Sequence, residues 1–170
     1  MKKMIPMLTA VLLIMITAAA LAGQADTEVA EQMTALEGMC EKSGEARSAR
    51  HDAKPLYERL GGYDRIYELT TEIVRLHAIN DNISWTLKGV DHQMLAKHVA
   101  DFMAAGTGGV VSYTGRDMES SHRRLELTDA HFLSAGGDVI QAMQNLEYGQ
   151  EEIDEVVCIL VSLKDQVVLD

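Results

Sequence analysis

An all-α domain is the fold class this sequence predicts, and three observations carry the prediction. After Pro55 no proline occurs in the rest of the chain to Asp170, so nothing there interrupts a helical ladder by removing an amide donor. Apolar residues in that stretch recur at three- and four-residue spacing, the period of a helix with one buried face, and nowhere alternate as in a half-buried strand. At 170 residues with 47% apolar content, the chain is long enough for one ordinary core plus appendages.

The chain opens with MKKMIPMLTAVLLIMITAAALA. Lys2 and Lys3 precede an apolar run that ends in Ala20-Leu21-Ala22, the small-x-small pattern of a signal-peptidase site, so residues 1–22 read as an export signal. An uncleaved anchor is the alternative, because the run from Met4 approaches the roughly 18 residues that span a bilayer; Pro6, Thr9 and Thr17 weaken it. The expected location is outside the cytoplasm, periplasmic, with a membrane tether only if the segment stays uncleaved. Residues 23–54 are polar, with a weak stripe at Val29, Met33, Leu36 and Met39 followed by EKSGEARSARHDAK, and read as an extension ending in a solvated linker. The folded domain is placed at 55–170.

Within it, Leu56-Tyr57-Glu58-Arg59-Leu60 forms a short helix that Gly61-Gly62 breaks from the next. Ile66, Leu69, Ile73 and Val74 mark one face of a helix running to about Ala78. Asp91 is the expected N-cap of a third, whose face carries Met94, Leu95, Val99, Phe102 and Met103, with His98 inside that apolar face, until Gly106-Thr107-Gly108-Gly109 stops it. After the turn-rich VVSYTGRD, the residues Met118, His122 and Leu125 fall at i, i+4 and i+7, again turning an imidazole toward apolar surroundings. Thr128 or Asp129 caps a long helix bearing Phe132, Val139, Ile140, Met143 and Leu146, and Ile153 to Leu169 supplies a last, very apolar one.

The formal net charge of −11 and pI near 4.9 exclude a nucleic-acid partner, since a phosphate backbone demands clustered cations. The glycine clusters lack the preceding strand of a phosphate loop. Cys40 and Cys158 leave a disulfide open, but within the apolar run Val156-Val157-Cys158-Ile159-Leu160 a buried inert thiol is the more common outcome.

Two histidines, His98 and His122, thus lie on apolar stripes of two helices separated by a glycine turn, with Arg116, Lys97, Arg123 and Arg124 near the edge. A haem requires an apolar slot, at least one neutral imidazole for iron, and basic groups at the mouth. Periodicity leaves this open, because a histidine on an apolar face is more often a hydrogen-bonded core residue. His77 reads as structural, and His51, His92 and His131 as solvated. Neither cysteine sits in C-x-x-C-H, against covalent attachment of the c type.

The stretch LYERLGGYDRIYEL from Leu56, the pair Gly108-Gly109, then SYTGRDMESSH and LTDAHF together resemble group 1 truncated haemoglobins over nearly the whole domain. The resemblance implies a truncated globin fold, a two-over-two helical sandwich around haem b. It places the proximal iron ligand on His122, with Tyr113, Met118, Leu127 and Phe132 around the haem on that side and Leu95, Val99 and Phe102 on the other. His98 matches the position at which some cyanobacterial members supply a second axial histidine; the alternative there is a propionate partner at the mouth, where Arg116 is also expected. Val74 replaces the tyrosine that commonly hydrogen-bonds oxygen, Leu95 and Val99 replace distal glutamines, and Leu87, after Trp85 and Thr86, replaces the usual wedging phenylalanine. Without those donors a bound gas loses hydrogen bonds worth about 1 to 3 kcal/mol.

What the resemblance implies first is reversible binding of a diatomic gas (oxygen, nitric oxide or carbon monoxide), a transport-type role rather than an enzymatic one. Alternatives are nitric oxide dioxygenation, bis-histidine electron transfer with an electron-donor protein, or, from another class, a haem-free globin-like interaction module.

Overall fold

Among the residues described, backbone 8–169 and side chains 24–169, this computed structural model is helical throughout and has no strand. The order is α1 (Leu8–Lys42), α2 (Gly44–Ala53), α3 (Leu56–Arg59), α4 (Gly62–Ile79), a 3₁₀ turn at Ser84–Leu87, α5 (His92–Gly106), α6 (Met118–His122), α7 (Asp129–Asn145), α8 (Gln150–Leu163) and a closing 3₁₀ turn at Lys164–Gln166. The export-signal reading of residues 1–22 lies outside the residues described in full. Among the described residues no helix is long and apolar enough to cross a membrane.

Two helix pairs make the sandwich: α4 packs along α5, α7 packs on α8, and α4 crosses α7 to join them. The apolar stripes read on α4, α7 and α8 meet there, whereas the one read on α5 does not: Met94 is exposed and Leu95, Val99 and Phe102 stay half-buried. Leu56, Leu60, Ile66, Leu69, Ile73, Val139, Met143, Ile153 and Val156 form one buried cluster, each large side chain contributing about 1.5 to 3 kcal/mol through burial. Toward α4, helix α5 presents Ala96, Ala100 and Ala104, all buried. Their spacing of four puts them on one face, and their size lets the two backbones approach closely. The fully buried Thr70 hydroxyl, on α4, donates across this contact to the Ala96 carbonyl at 2.8 Å, so its burial leaves no polar atom unsatisfied.

Sequence-read boundaries hold where a cap defines them. Asp91 accepts from the Met94 amide. Thr128 accepts from the His131 amide while the His131 ring accepts from the Thr128 amide, a reciprocal box that satisfies two amides a helix end would otherwise orphan. His131 also meets Trp85 edge to face at 5.8 Å, so it is a capping residue rather than a solvated one. The last helix stops at Leu163 instead of running to Leu169. At the break after α3, Gly61 takes φ 91°, a left-handed conformation that side chains disfavour. Gly109 is required for a different reason: a Cβ there would lie 2.6 Å from the Tyr57 ring and 2.9 Å from the Ala104 carbonyl. Gly109→Ala is therefore expected to cost about 1 to 3 kcal/mol, read as a lowered urea midpoint with unchanged slope.

The largest difference from the sequence reading concerns residues 23–54. The stretch 41–54 read as a solvated linker is largely exposed but helical, with no buried residue in α2, whereas the weak stripe before it is docked. The segment is helical as α1 and α2, and α1 packs on α7 and α8, with Met33 only 4% exposed. Cys158 is not a free thiol but is disulfide-bonded to Cys40, with Cα atoms 5.4 Å apart. Arg50 of α2 donates to the buried Glu155 carboxylate at 2.6 Å, and Arg59 of α3 donates to its other oxygen at 2.5 Å. The polar composition that suggested solvation belongs to the outward faces, while a few spaced apolar residues and one arginine make the attachment.

Candidate functional site

His122 is the last residue of α6, a single short turn set up by Asp117. The Asp117 carboxylate accepts from the Ser120 amide at 2.7 Å and the Ser120 hydroxyl at 3.0 Å. These bonds favour the ionised form, the amide most, and hold the carboxyl below its ordinary range. One turn back from His122, the Met118 carbonyl oxygen lies 2.7 Å from the ring Nδ1. A carbonyl oxygen only accepts, so Nδ1 carries the proton and Nε2 of the neutral ring keeps its lone pair. Among the described residues nothing hydrogen-bonds to Nε2. The half-buried ring borders an open groove of about 710 Å³ that also contains Glu119, Leu127 and Thr128 and, from the chain end, Val167 and Leu169.

On α5 the residues Leu95, Val99 and Phe102 form a second stripe beside the alanines and are half-buried. Phe102 meets Tyr113 edge to face, centroids 5.2 Å apart, and the Tyr113 hydroxyl donates to the Arg116 carbonyl at 2.7 Å, which folds the loop before α6 against α5. Burial pushes the Tyr113 phenol pKa up. Leu87, Met118, Leu127 and Phe132 are likewise half-buried. None of these apolar side chains reaches the burial of the core cluster; together they leave apolar surface that a flat, largely apolar group can cover.

Other expectations are corrected. The His98 ring is exposed, not inside the apolar face, because the alanine stripe takes the position against α4 and Leu95, Val99 and Phe102 lie between it and His98 around the helix. Lys97 is engaged by Asp101 at 2.7 Å, and Arg123 pairs with Glu119, so neither is an uncommitted cation at the edge. Asp101 also accepts from the Tyr63 hydroxyl at 2.6 Å, tying α4 to α5; its carboxyl is held below the ordinary range by Lys97 first and Tyr63 second. Arg116 and Arg124 are exposed and, among the described residues, make no ion pair. Val74 is buried, with no donor to offer. His77 does have a structural role: its Nδ1 lies 2.9 Å from Asp138, and burial pushes its pKa down against the pull of that carboxylate.

The sequence reading missed the alanine stripe, legible in retrospect as Ala96, Ala100 and Ala104 at fixed spacing. It also missed Val167 and Leu169 beside His122, for which no periodic signal exists.

The residues fit a haem. One imidazole has its outer nitrogen fixed to a carbonyl and its inner nitrogen available, the arrangement that sets tautomer and ring orientation for a metal. Leu127, Val167 and Leu169 line the groove beside it, which Leu95, Val99 and Phe102 do not reach, and Arg116 and Arg124, which make no ion pair among the described residues, lie on the same stretch of chain.

Comparison with known proteins gives one family. The family profile described as bacterial-like globin matches residues 55–168. A group 1 truncated hemoglobin of Mycolicibacterium paratuberculosis is 24% identical over 123 residues, covering 72% of this chain and 90% of its own length. The crystal structure of the 2/2 hemoglobin from Synechococcus sp. PCC 7002 superposes with a TM-score of 0.62 at 28% identity, covering 67% of this chain and 98% of that one. Truncated hemoglobin from Tetrahymena pyriformis superposes at 0.65 with 19% identity over 69% of this chain and 100% of its own, a likeness of fold alone.

Proposed function

The chain belongs to the bacterial-like globin family, and from that premise we propose that it binds haem b through Nε2 of His122 and takes up a diatomic gas reversibly. Membership implies haem, and the lack of a C-x-x-C-H motif argues against covalent attachment of the c type. The observation that carries the reading is the Nδ1 contact of His122 with the Met118 carbonyl at 2.7 Å, which leaves one lone pair directed away from the helix that bears it. When bound, haem would be held through its iron by the His122 imidazole and would supply the metal centre to which a gas binds.

The chain's own residues then determine the surroundings. Leu95, Val99 and Phe102 exclude water from the distal side, and Phe102 is held by Tyr113. With Val74, Leu95 and Val99 in place of donors, the pocket stabilises a polar ligand weakly, so oxygen is released readily. The exposure of His98 favours a position at the mouth, with Arg116 and Arg124 as partners for the haem carboxylates. Return of oxidised iron to the ferrous state requires an electron-donor protein. Export to an oxidising compartment accompanies the reading, since a disulfide between Cys40 and Cys158 persists there.

An absorption titration of the haem-free protein with hemin tests this. A saturable Soret band at one haem per chain is expected, and His98→Ala should leave the ferrous spectrum unchanged. A folded protein that develops no such band would refute haem binding; a change from low to high spin in His98→Ala would instead make His98 an axial ligand.

A further inference from the structure

Between Met33 and Arg50, ahead of the family match, the chain is fastened to the domain at a few points. Met33 and Cys40 are buried, and Leu36 and Met39 between them pack against the core. Cys40 is bonded to Cys158 in the middle of α8, and Arg50 reaches Glu155, one turn earlier on the same helix. A polar relay continues from this attachment toward the cleft. Helix α1 packs on both α7 and α8, and Lys164, where α8 ends, donates to the Asp129 carboxylate at 3.1 Å. Asp129 begins α7. Thr128 just before it lines the groove beside His122 and Leu127, and the tail after Lys164 supplies Val167 and Leu169 to that groove.

We propose that α1 and α2 are an oxidation-dependent brace: closing Cys40–Cys158 fixes α1 on α7 and α8 and, through Lys164 and Asp129, orders the wall that holds His122. The role of that wall rests on the haem reading above, but the ordering itself does not. The bond closes by exchange with a protein disulfide oxidant. One cysteine thiolate attacks an oxidant sulfur and releases a thiolate; the second then attacks the first cysteine's sulfur and releases the other. The two cysteines lose two electrons and two protons, and the oxidant becomes a dithiol. Both half-cystines are buried in the closed form, 8% and 4% exposed, so a reductant reaches them only after local opening, and once formed the brace is durable.

Without the covalent bond the docked stripe of α1 is short and its other attachments are ion pairs, so this helix pair becomes a locally opening unit. Hydrogen exchange by mass spectrometry on the haem-free full chain tests this with four samples: oxidised wild type, dithiothreitol-reduced wild type, the Cys40→Ser, Cys158→Ser double variant, and oxidised Lys164→Gln. Relative to peptides from 66–74 in α4, exchange in 33–40 and in 128–133 should accelerate at least tenfold in the reduced and double-serine proteins. Reoxidation of the reduced wild type should restore protection. Lys164→Gln should loosen 128–133 while 33–40 stays protected.

A uniform acceleration that includes 66–74 would show that the bond stabilises the whole domain, and loss confined to 33–40 would show that the wall is independent of α1; either overturns the brace. If the double variant does not fold, reduced wild type decides. A chain that takes up no haem would refute the proposed function and leave this comparison as it stands, whereas unchanged exchange alongside a normal Soret band would remove the brace alone.

Discussion

His122→Ala is expected to abolish the Soret band at hemin concentrations that saturate wild type. Losing a partner that merely orients a metal-ligating histidine costs about 10- to 100-fold in metal affinity, so losing the ligand itself should weaken haem binding by at least about 100-fold. The fold should survive, because α6 packs mainly against the closing turn at Lys164–Gln166 and contributes nothing to the buried cluster; far-UV circular dichroism would confirm this. Added imidazole should partly restore the band in His122→Gly by occupying the vacated space. An unchanged band at unchanged affinity in His122→Ala would mean that another side chain holds the iron, and the functional reading would fall with it.

Glu155→Ala should produce the largest loss of stability among surface-distant substitutions, about 3 kcal/mol. Removing one partner of a buried ion pair typically costs about 3 to 5 kcal/mol by leaving the other charge uncompensated. The low end applies because Arg59 retains Glu152 at 2.9 Å and Arg50 is partly solvated. At about 2 to 4 °C per kcal/mol for a chain of this size, the melting temperature should fall by about 6 to 12 °C. The effect should depend on pH with a definite sign. Burial is the largest single influence on Glu155 and pushes its pKa up, but the hydrogen bonds from Arg59 and Arg50 outweigh it and leave the carboxyl below its ordinary value. A depressed folded-state pKa gives stability that is complete above the unfolded value, about 4.3, and is lost as pH falls through the folded one. Melting curves for wild type and Glu155→Ala should therefore differ most near neutrality and converge in acid. Equal differences at pH 7 and pH 3 would show that lost packing, not lost charge, governs the variant.

Local chemistry made much of this molecule readable. Capping residues announced two helix starts, at Asp91 and Thr128, because a cap needs only its own side chain and the amides just after it. The stripe of Ile66, Leu69 and Ile73 located the core face of α4 because helical period alone determines which residues share a side. His122 was legible as an inward-turned imidazole one turn from Met118, and its order among neighbouring motifs made it stand out from His77, which has the same period and a structural partner in Asp138.

By itself, then, the sequence determined the helical class, the order of the helices from Leu56 onward, the caps at Asp91 and Thr128, and the one-turn spacing of His122 from Met118, since each depends on residues within a turn or two of one another. Only the tertiary structure decided that the stripe from Met33 to Cys40 is docked, that Cys40 joins Cys158, that Glu155 sits between two arginines, and that His98 is exposed. Those facts arise from which helix lies on which. Cys40 and Cys158 are separated by 118 residues, and Arg50 and Glu155 by 105. A contact over such a distance leaves no period in the chain; it exists because burying the faces of α7 and α8 leaves room for one more helix.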